Sequence, residues 1–245
     1  VSEGGLDAQA STVATSVQKA FASTAVTATS TGSTTAVSLA ATVLSFLAAY
    51  FATHLVAVYG ETLPQIVPSI VKTMSDKYQR TSIEAFNAAA RLARGVRPNI
   101  AASSTVAPLP AAQAKVIKAL FDATSEVLAG TSADSEVKEK ATLTLGEIIV
   151  NEADALAEQV DQALPLVTAR LNTEATQLAA LHVIGRVAES PLCTGDVFDK
   201  WLLTVLETLP VLFRRSARGV KPVALTTLNQ VLARYVRPVR LRQLN

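Results

Sequence analysis

Three times in its second half the chain writes an amphipathic helix, a short polar turn and a second amphipathic helix. The segments are "PAAQAKVIKALFDATSEVLAG" then "SEVKEKATLTLGEIIVNEADAL", "LAEQVDQALPLVTARLNT" then "EATQLAALHVIGRVAES", and "GDVFDKWLLTVLETLPVLFRRS" then "ARGVKPVALTTLNQVLARY". Each pair is about 36 to 45 residues long, a length at which one unit cannot bury its own apolar face and has to stack on the next. Composition leaves little room for anything else. Ten glycines in 245 residues are too few for a turn-rich β protein, and strand-like alternation is absent. The apolar share is Ala, Leu and Val with only 5% aromatics, which suits close-packed helices.

The rhythm extends upstream. "GETLPQIVPSIVKTMSD" and "YQRTSIEAFNAAARLARGV" form another pair, whose second helix carries a polar stripe at Arg80, Glu84, Asn87, Arg91 and Arg94 opposite Ile83, Phe86, Ala90 and Ala93. Shifted back by 42 residues, the polar set falls on Ser38, Thr42, Ser45, Ala49 and Ala52, and the apolar set on Ala41, Leu44, Ala48 and Phe51. These lie in "SLAATVLSFLAAYFATHL", part of an interval from Ala20 to Gly60 with no charged residue. A helix from Val37 to Val58 would be roughly 33 Å long, enough to cross a bilayer. The shared face pattern argues instead for a repeat helix with its polar face written in Ser, Thr and Ala, and the flanks show no Lys/Arg bias. No membrane span is expected.

The expected fold is all-α, a HEAT/armadillo-type superhelix of about five helix pairs at 5–56, 61–96, 110–152, 156–189 and 195–235. They read as one array, 1–245, and as a piece of a longer solenoid, because the chain begins at Val1 and neither end has an obvious polar capping helix. Leu-Pro recurs late in or within first helices, at Leu63-Pro64, Leu164-Pro165 and Leu209-Pro210, where proline removes a donor and bends the helix. Asp134 or Ser135 is placed to cap the helix whose apolar stripe is Val137, Ala141, Leu145, Ile148 and Ile149. "RPNIAASSTVAPLP" is the longest and most proline-rich link, a candidate flexible loop.

Catalytic signatures are missing: there is no phosphate-binding loop, dinucleotide turn, zinc-protease helix or nucleophile elbow. Cys193 is the only cysteine, and His54 and His182 stand apart without a ligand cluster. Carboxylate pairs such as Glu136/Glu139 and Glu152/Asp154 read as solvated helix ends, and Trp201 as a packing residue. The expectation is a protein that is not an enzyme and uses no cofactor, metal or small-molecule substrate. The last 33 residues hold eight bases and no acid, leaving 14 bases against 20 acids upstream, so a basic tip ends an acidic body. Without a stacking module beside those bases, nucleic acid is not the expected partner; contact with an acidic protein, or plain solvation of the bases, is the expectation. Solenoids bind along the surface of their stacked second helices, which nominates Arg80, Glu84, Asn87, Arg91, Lys140, Glu147, Gln177, Arg186, Lys221 and Arg234 as partner-binding candidates, with Gln230 in an equivalent place.

"SEVKEKATLTLGEIIVNEADALAEQVDQALPLVTARLNTEATQLAALHVIGRVAESPL" resembles the middle HEAT repeats of the cullin-associated, neddylation-dissociated (CAND) family. The likeness rests on Glu136–Ala141, on Gly146–Asn151, on Leu164-Pro165 with Arg170-Leu171, and on Ala188–Leu192. It continues through "RSARGVKPVALTTLNQVLARY" and back through "TLPQIVPSIVKTMSD", and is poorest over 1–35 and 236–245. The resemblance implies a superhelix that wraps an unmodified cullin–RING complex in the cytoplasm or nucleus, blocks neddylation and promotes exchange of substrate receptors, with middle repeats forming an arch. Two other readings stay open at this stage. One is a tubulin-binding TOG-type array; the other is a general HEAT scaffold of the phosphatase or nuclear-transport type.

Overall fold

The computed structural model describes residues 9–22, 34–97, 107–215 and 217–242, with side chains outside 34–36 and 236–242. The chain is an all-α solenoid of helix pairs. Its first helices are α1 (9–22), α4 (Leu63–Met74), α6 (Ala111–Ala129), α8 (Val160–Ala169) and α10 (Asp196–Arg215). Its second helices are α2 (Thr34–Thr53), α5 (Gln79–Val96), α7 (Ser135–Glu152), α9 (Glu174–Glu189) and α11 (Val220–Arg242), and a single short turn, α3 (Val56–Tyr59), leads into α4.

The two sets form separate layers. In one, α4 packs on α6, α6 on α8 and α8 on α10. Buried Ala14 joins α1 to the core, and Gln18 Nε2 donates to the Gln65 carbonyl at 3.3 Å. In the other, α2 packs on α5, α5 on α7, α7 on α9 and α9 on α11. One continuous apolar core runs between the layers from Ala14 to Val231. The α7 stripe Val137, Ala141, Leu145, Ile148 and Ile149 is buried throughout, as its helical spacing requires.

Small residues let the second helices approach closely. A Cβ on Gly146 of α7 would run into Val183 of α9, one on Gly185 of α9 into Gln230 of α11, and one on Gly95 of α5 would lie 2.9 Å from the Phe51 carbonyl of α2. Threonines then bond across the seams. Thr144 Oγ1 donates to the Phe86 carbonyl at 3.0 Å and Thr227 Oγ1 to the Leu181 carbonyl at 3.1 Å.

In the uncharged helix α2, Ser38, Thr42, Ser45, Ala49 and Ala52 are exposed, while Ala41, Leu44 and Phe51 are buried and Ala48 is half-buried. Its outer face is less polar than its sequence suggests: Thr42 Oγ1 donates to the Ser38 carbonyl at 2.8 Å and Thr53 Oγ1 to the Ala49 carbonyl at 2.9 Å, so solvent meets methyl groups beside exposed Leu39 and Phe46. Among the described residues no helix is long and apolar enough to cross a membrane.

Two local expectations are corrected. Pro64 opens α4, where its missing amide donor would have had no helical partner; Pro68 is the proline inside that helix, as Pro165 is in α8 and Pro210 in α10. Asp134 holds the N-cap position of α7 with its backbone carbonyl accepting from Lys138 N at 2.9 Å, but no side chain makes the cap bond. Most of the "RPNIAASSTVAPLP" link, 98–106, lies outside the described residues, as does 27–33 of the Ser/Thr-rich link before α2.

Candidate functional site

Stacking of α5, α7 and α9 brings residues from three successive repeats to one groove of about 260 Å³. Asn87, Arg91 and Arg94 reach it from α5, Lys140 and Glu147 from α7, and His182 and Arg186 from α9. Five of the ten nominated residues therefore meet here: Asn87, Arg91, Lys140, Glu147 and Arg186. Each comes from the polar ridge of a second helix.

Glu147 is the floor of the groove, its side chain 9% exposed. Its Oε1 accepts from Nη2 of Arg94 and from Nη1 of Arg186, so one carboxylate ties α5, α7 and α9 together. Arg94 Nε also donates to Oε2 at 3.4 Å, and Asn151 Nδ2 at 3.3 Å. Burial acts to raise the pKa of this carboxyl, but the hydrogen bonds and charges of the two arginines outweigh it and hold Glu147 below the usual carboxylate range. It is ionised, and it positions the two guanidinium groups.

The remaining nominated residues do not join this groove. Arg80 and Lys221 are exposed near the starts of α5 and α11. Glu84 accepts from Asn87 Nδ2 at 3.4 Å on the same helix. Gln177 is buried, its Nε2 donating to the Leu171 carbonyl at 2.8 Å across the turn before α9, so it closes that turn and does not face a partner. Arg234 donates through Nε and Nη2 to Asp199 Oδ1 at 3.0 and 2.8 Å, clamping α11 to α10. The outward stripe is thus shorter than its residue types suggested. Conversely, Arg94 and His182 belong to the groove. Position 182 lies one helical turn before Arg186, a spacing that was available in the sequence.

A second charged cluster lies at the ends of α5 and α7. Arg97 donates to both carboxylate oxygens of Asp154, at 2.7 and 3.1 Å. Its Nε lies 3.4 Å from Glu152 Oε2, but neither oxygen of Glu152 accepts a hydrogen bond from the described residues. Glu152 is fully buried, which overturns its reading as a solvated helix end. Burial pushes its pKa up to about 8; Arg97 pulls it down and Asp154 adds to the rise. Trp201 takes the packing role expected of it, buried in α10 with Nε1 donating to Thr168 Oγ1 of α8 at 2.8 Å. Cys193 is buried, and loss of solvation pushes its thiol up to about 12.

A family model described as "CAND1-like, TPR repeats" matches residues 10–145. The chain belongs to the CAND1-like family. The match begins in α1, in the stretch where the sequence likeness read poorest, and ends inside the segment where it read strongest. Among curated CAND1 relatives, Cullin-associated NEDD8-dissociated protein 1 of Drosophila melanogaster is 29% identical over 185 residues, covering 74% of this chain and 14% of that protein. The Arabidopsis thaliana protein of the same name is 24% identical over 187 residues, with 75% and 14% covered. This CAND1-like chain thus spans about 14% of the length of these relatives. In fold it is similar to a designed armadillo repeat protein in complex with the peptide (KR)4, at TM-score 0.54 and 18% identity over 94% of this chain and 91% of that one.

Proposed function

We propose that this chain is a non-enzymatic, protein-binding section of a cullin-associated regulator, working in the cytoplasm or nucleus. In this reading it helps to hold an unmodified cullin–RING ubiquitin ligase, so that neddylation is blocked and substrate-receptor modules are exchanged. The observation that carries it is membership of the CAND1-like family over residues 10–145, in a solenoid whose second helices present a continuous face. The names of the fly and plant relatives attach cullin association and NEDD8 dissociation to those proteins. The TOG-type reading gains nothing from Trp201, which is buried between α10 and α8 and not at an exposed edge.

The test is capture of purified cullin–RING complex, unmodified or neddylated, by the full-length protein that contains this chain, with tubulin as a parallel bait. The reading expects retention of the unmodified complex and its loss on neddylation. Failure to retain any cullin would overturn it, and retention of tubulin alone would favour the TOG-type array.

A further inference from the structure

The groove across α5, α7 and α9 carries more positive charge than its own residues balance. Arg94 and Arg186 share the single carboxylate of Glu147. Arg91 and Lys140 border the same groove and have no ion-pair partner among the described residues. Four cations therefore surround one anion. Upstream of the basic C-terminal end the chain carries 14 bases against 20 acids, so this is a local concentration of positive charge on an acidic body. Bringing like charges together in a partly desolvated groove is unfavourable until an anion enters it.

The groove is also prepared for such an anion. Arg94 and Arg186 are already held in place by Glu147, so less side-chain freedom is lost on binding. Gly146 in the lining lets α9 lie close on α7, since a Cβ there would run into Val183, so that residues of the two helices meet in one narrow groove. Leu143 lines the groove from α7, and Leu178, 48% exposed, sits one turn before His182 on α9. The combination suits carboxylates flanked by an apolar side chain. A nucleic-acid strand fits less well, because His182 is the one ring in the lining, too little to stack a run of bases, and the Glu147 carboxylate would oppose a run of phosphates.

We propose that this groove is the docking site for an acidic, leucine-containing segment of a protein partner, whose carboxylates complete the charge of Arg91 and Lys140. The inference rests on the scaffold reading and gives that scaffold a specific contact chemistry.

The experiment titrates the 245-residue chain with a fluorescein-labelled peptide of alternating Glu and Leu, read by fluorescence anisotropy at low and physiological salt. Binding should weaken about tenfold or more in R91E/K140E, and fall with added salt. R80E/K221E makes the same charge change outside the groove and should leave binding within about twofold of the unsubstituted chain. R91Q/K140Q provides the same readout should charge reversal impair folding. Unchanged affinity in both groove variants, equal weakening in R80E/K221E, or tighter binding of single-stranded oligo-dT through the same residues would each overturn the proposal. Cullin capture keeps the two claims apart. Capture that persists in R91E/K140E, together with unaltered peptide affinity, sinks the groove and spares the scaffold. Peptide binding lost in R91E/K140E when no cullin is captured supports the groove and sinks the cullin reading.

Discussion

Glu152 shows how little a residue's type says about its surroundings. In the sequence it is one acid near the end of a helix, followed closely by Asp154, with nothing to distinguish it from solvated neighbours. In the fold, Arg97 from the preceding repeat turns its guanidinium to Asp154 and leaves the Glu152 carboxyl buried without a hydrogen bond. A carboxyl with a folded pKa of about 8, against an ordinary 4.5, holds its proton more tightly folded than unfolded. Its contribution to stability is fully present below the unfolded value and is lost as pH rises through the folded one. Glu152→Gln keeps the neutral form at all pH values. It should change the urea midpoint little near pH 5 and raise it near pH 9, flattening the stability profile between. An unchanged slope in the variant would mean that Glu152 titrates like an exposed carboxylate.

At the scale of helices, the seams of the second layer depend on positions without side chains. Gly146 faces Cγ1, Cγ2 and Cβ of Val183, a stiff branched residue with no room to withdraw, whereas Gly185 faces the amide end of Gln230, which can swing aside. Gly146→Ala should therefore cost roughly 1–3 kcal/mol by forcing α7 and α9 apart. Gly185→Ala should cost less than about 1 kcal/mol, since the gain in helix propensity offsets a small side-chain movement. Chemical denaturation of the two variants compares them directly, and equal losses would contradict the packing described here. Helix identity itself was legible beforehand: the apolar period of 3.6 marks the buried face of α2 as clearly as that of α7, although only α7 has charges to contrast with it.

For the whole molecule, α7 is the centre. It packs against α5, α6 and α9, and from Ala141 to Ala153 every residue except Leu143 is buried. In a solenoid, stability is close to a sum of unit and neighbour terms, so the element with the most buried surroundings opens last. Hydrogen exchange followed by mass spectrometry should find the slowest amides in α7, slower than those of α2. Exchange at equal rates in both would mean that the apolar core does not act as one continuous unit.

The sequence by itself determined the helix pairs, the face each helix buries and the family resemblance, because all three rest on patterns within a few turns of one helix. The tertiary structure alone decided which polar residues serve the fold and which meet at a surface. Gln177 and Arg234 share the composition of the exposed stripe yet are spent on a turn and an interhelical clamp, while Glu147 takes its partners 53 and 39 residues away. Such pairings are set by how closely and at what angle successive helices stack. Glycines and threonines at the seams between adjacent helices govern that approach, and no single-helix period records it.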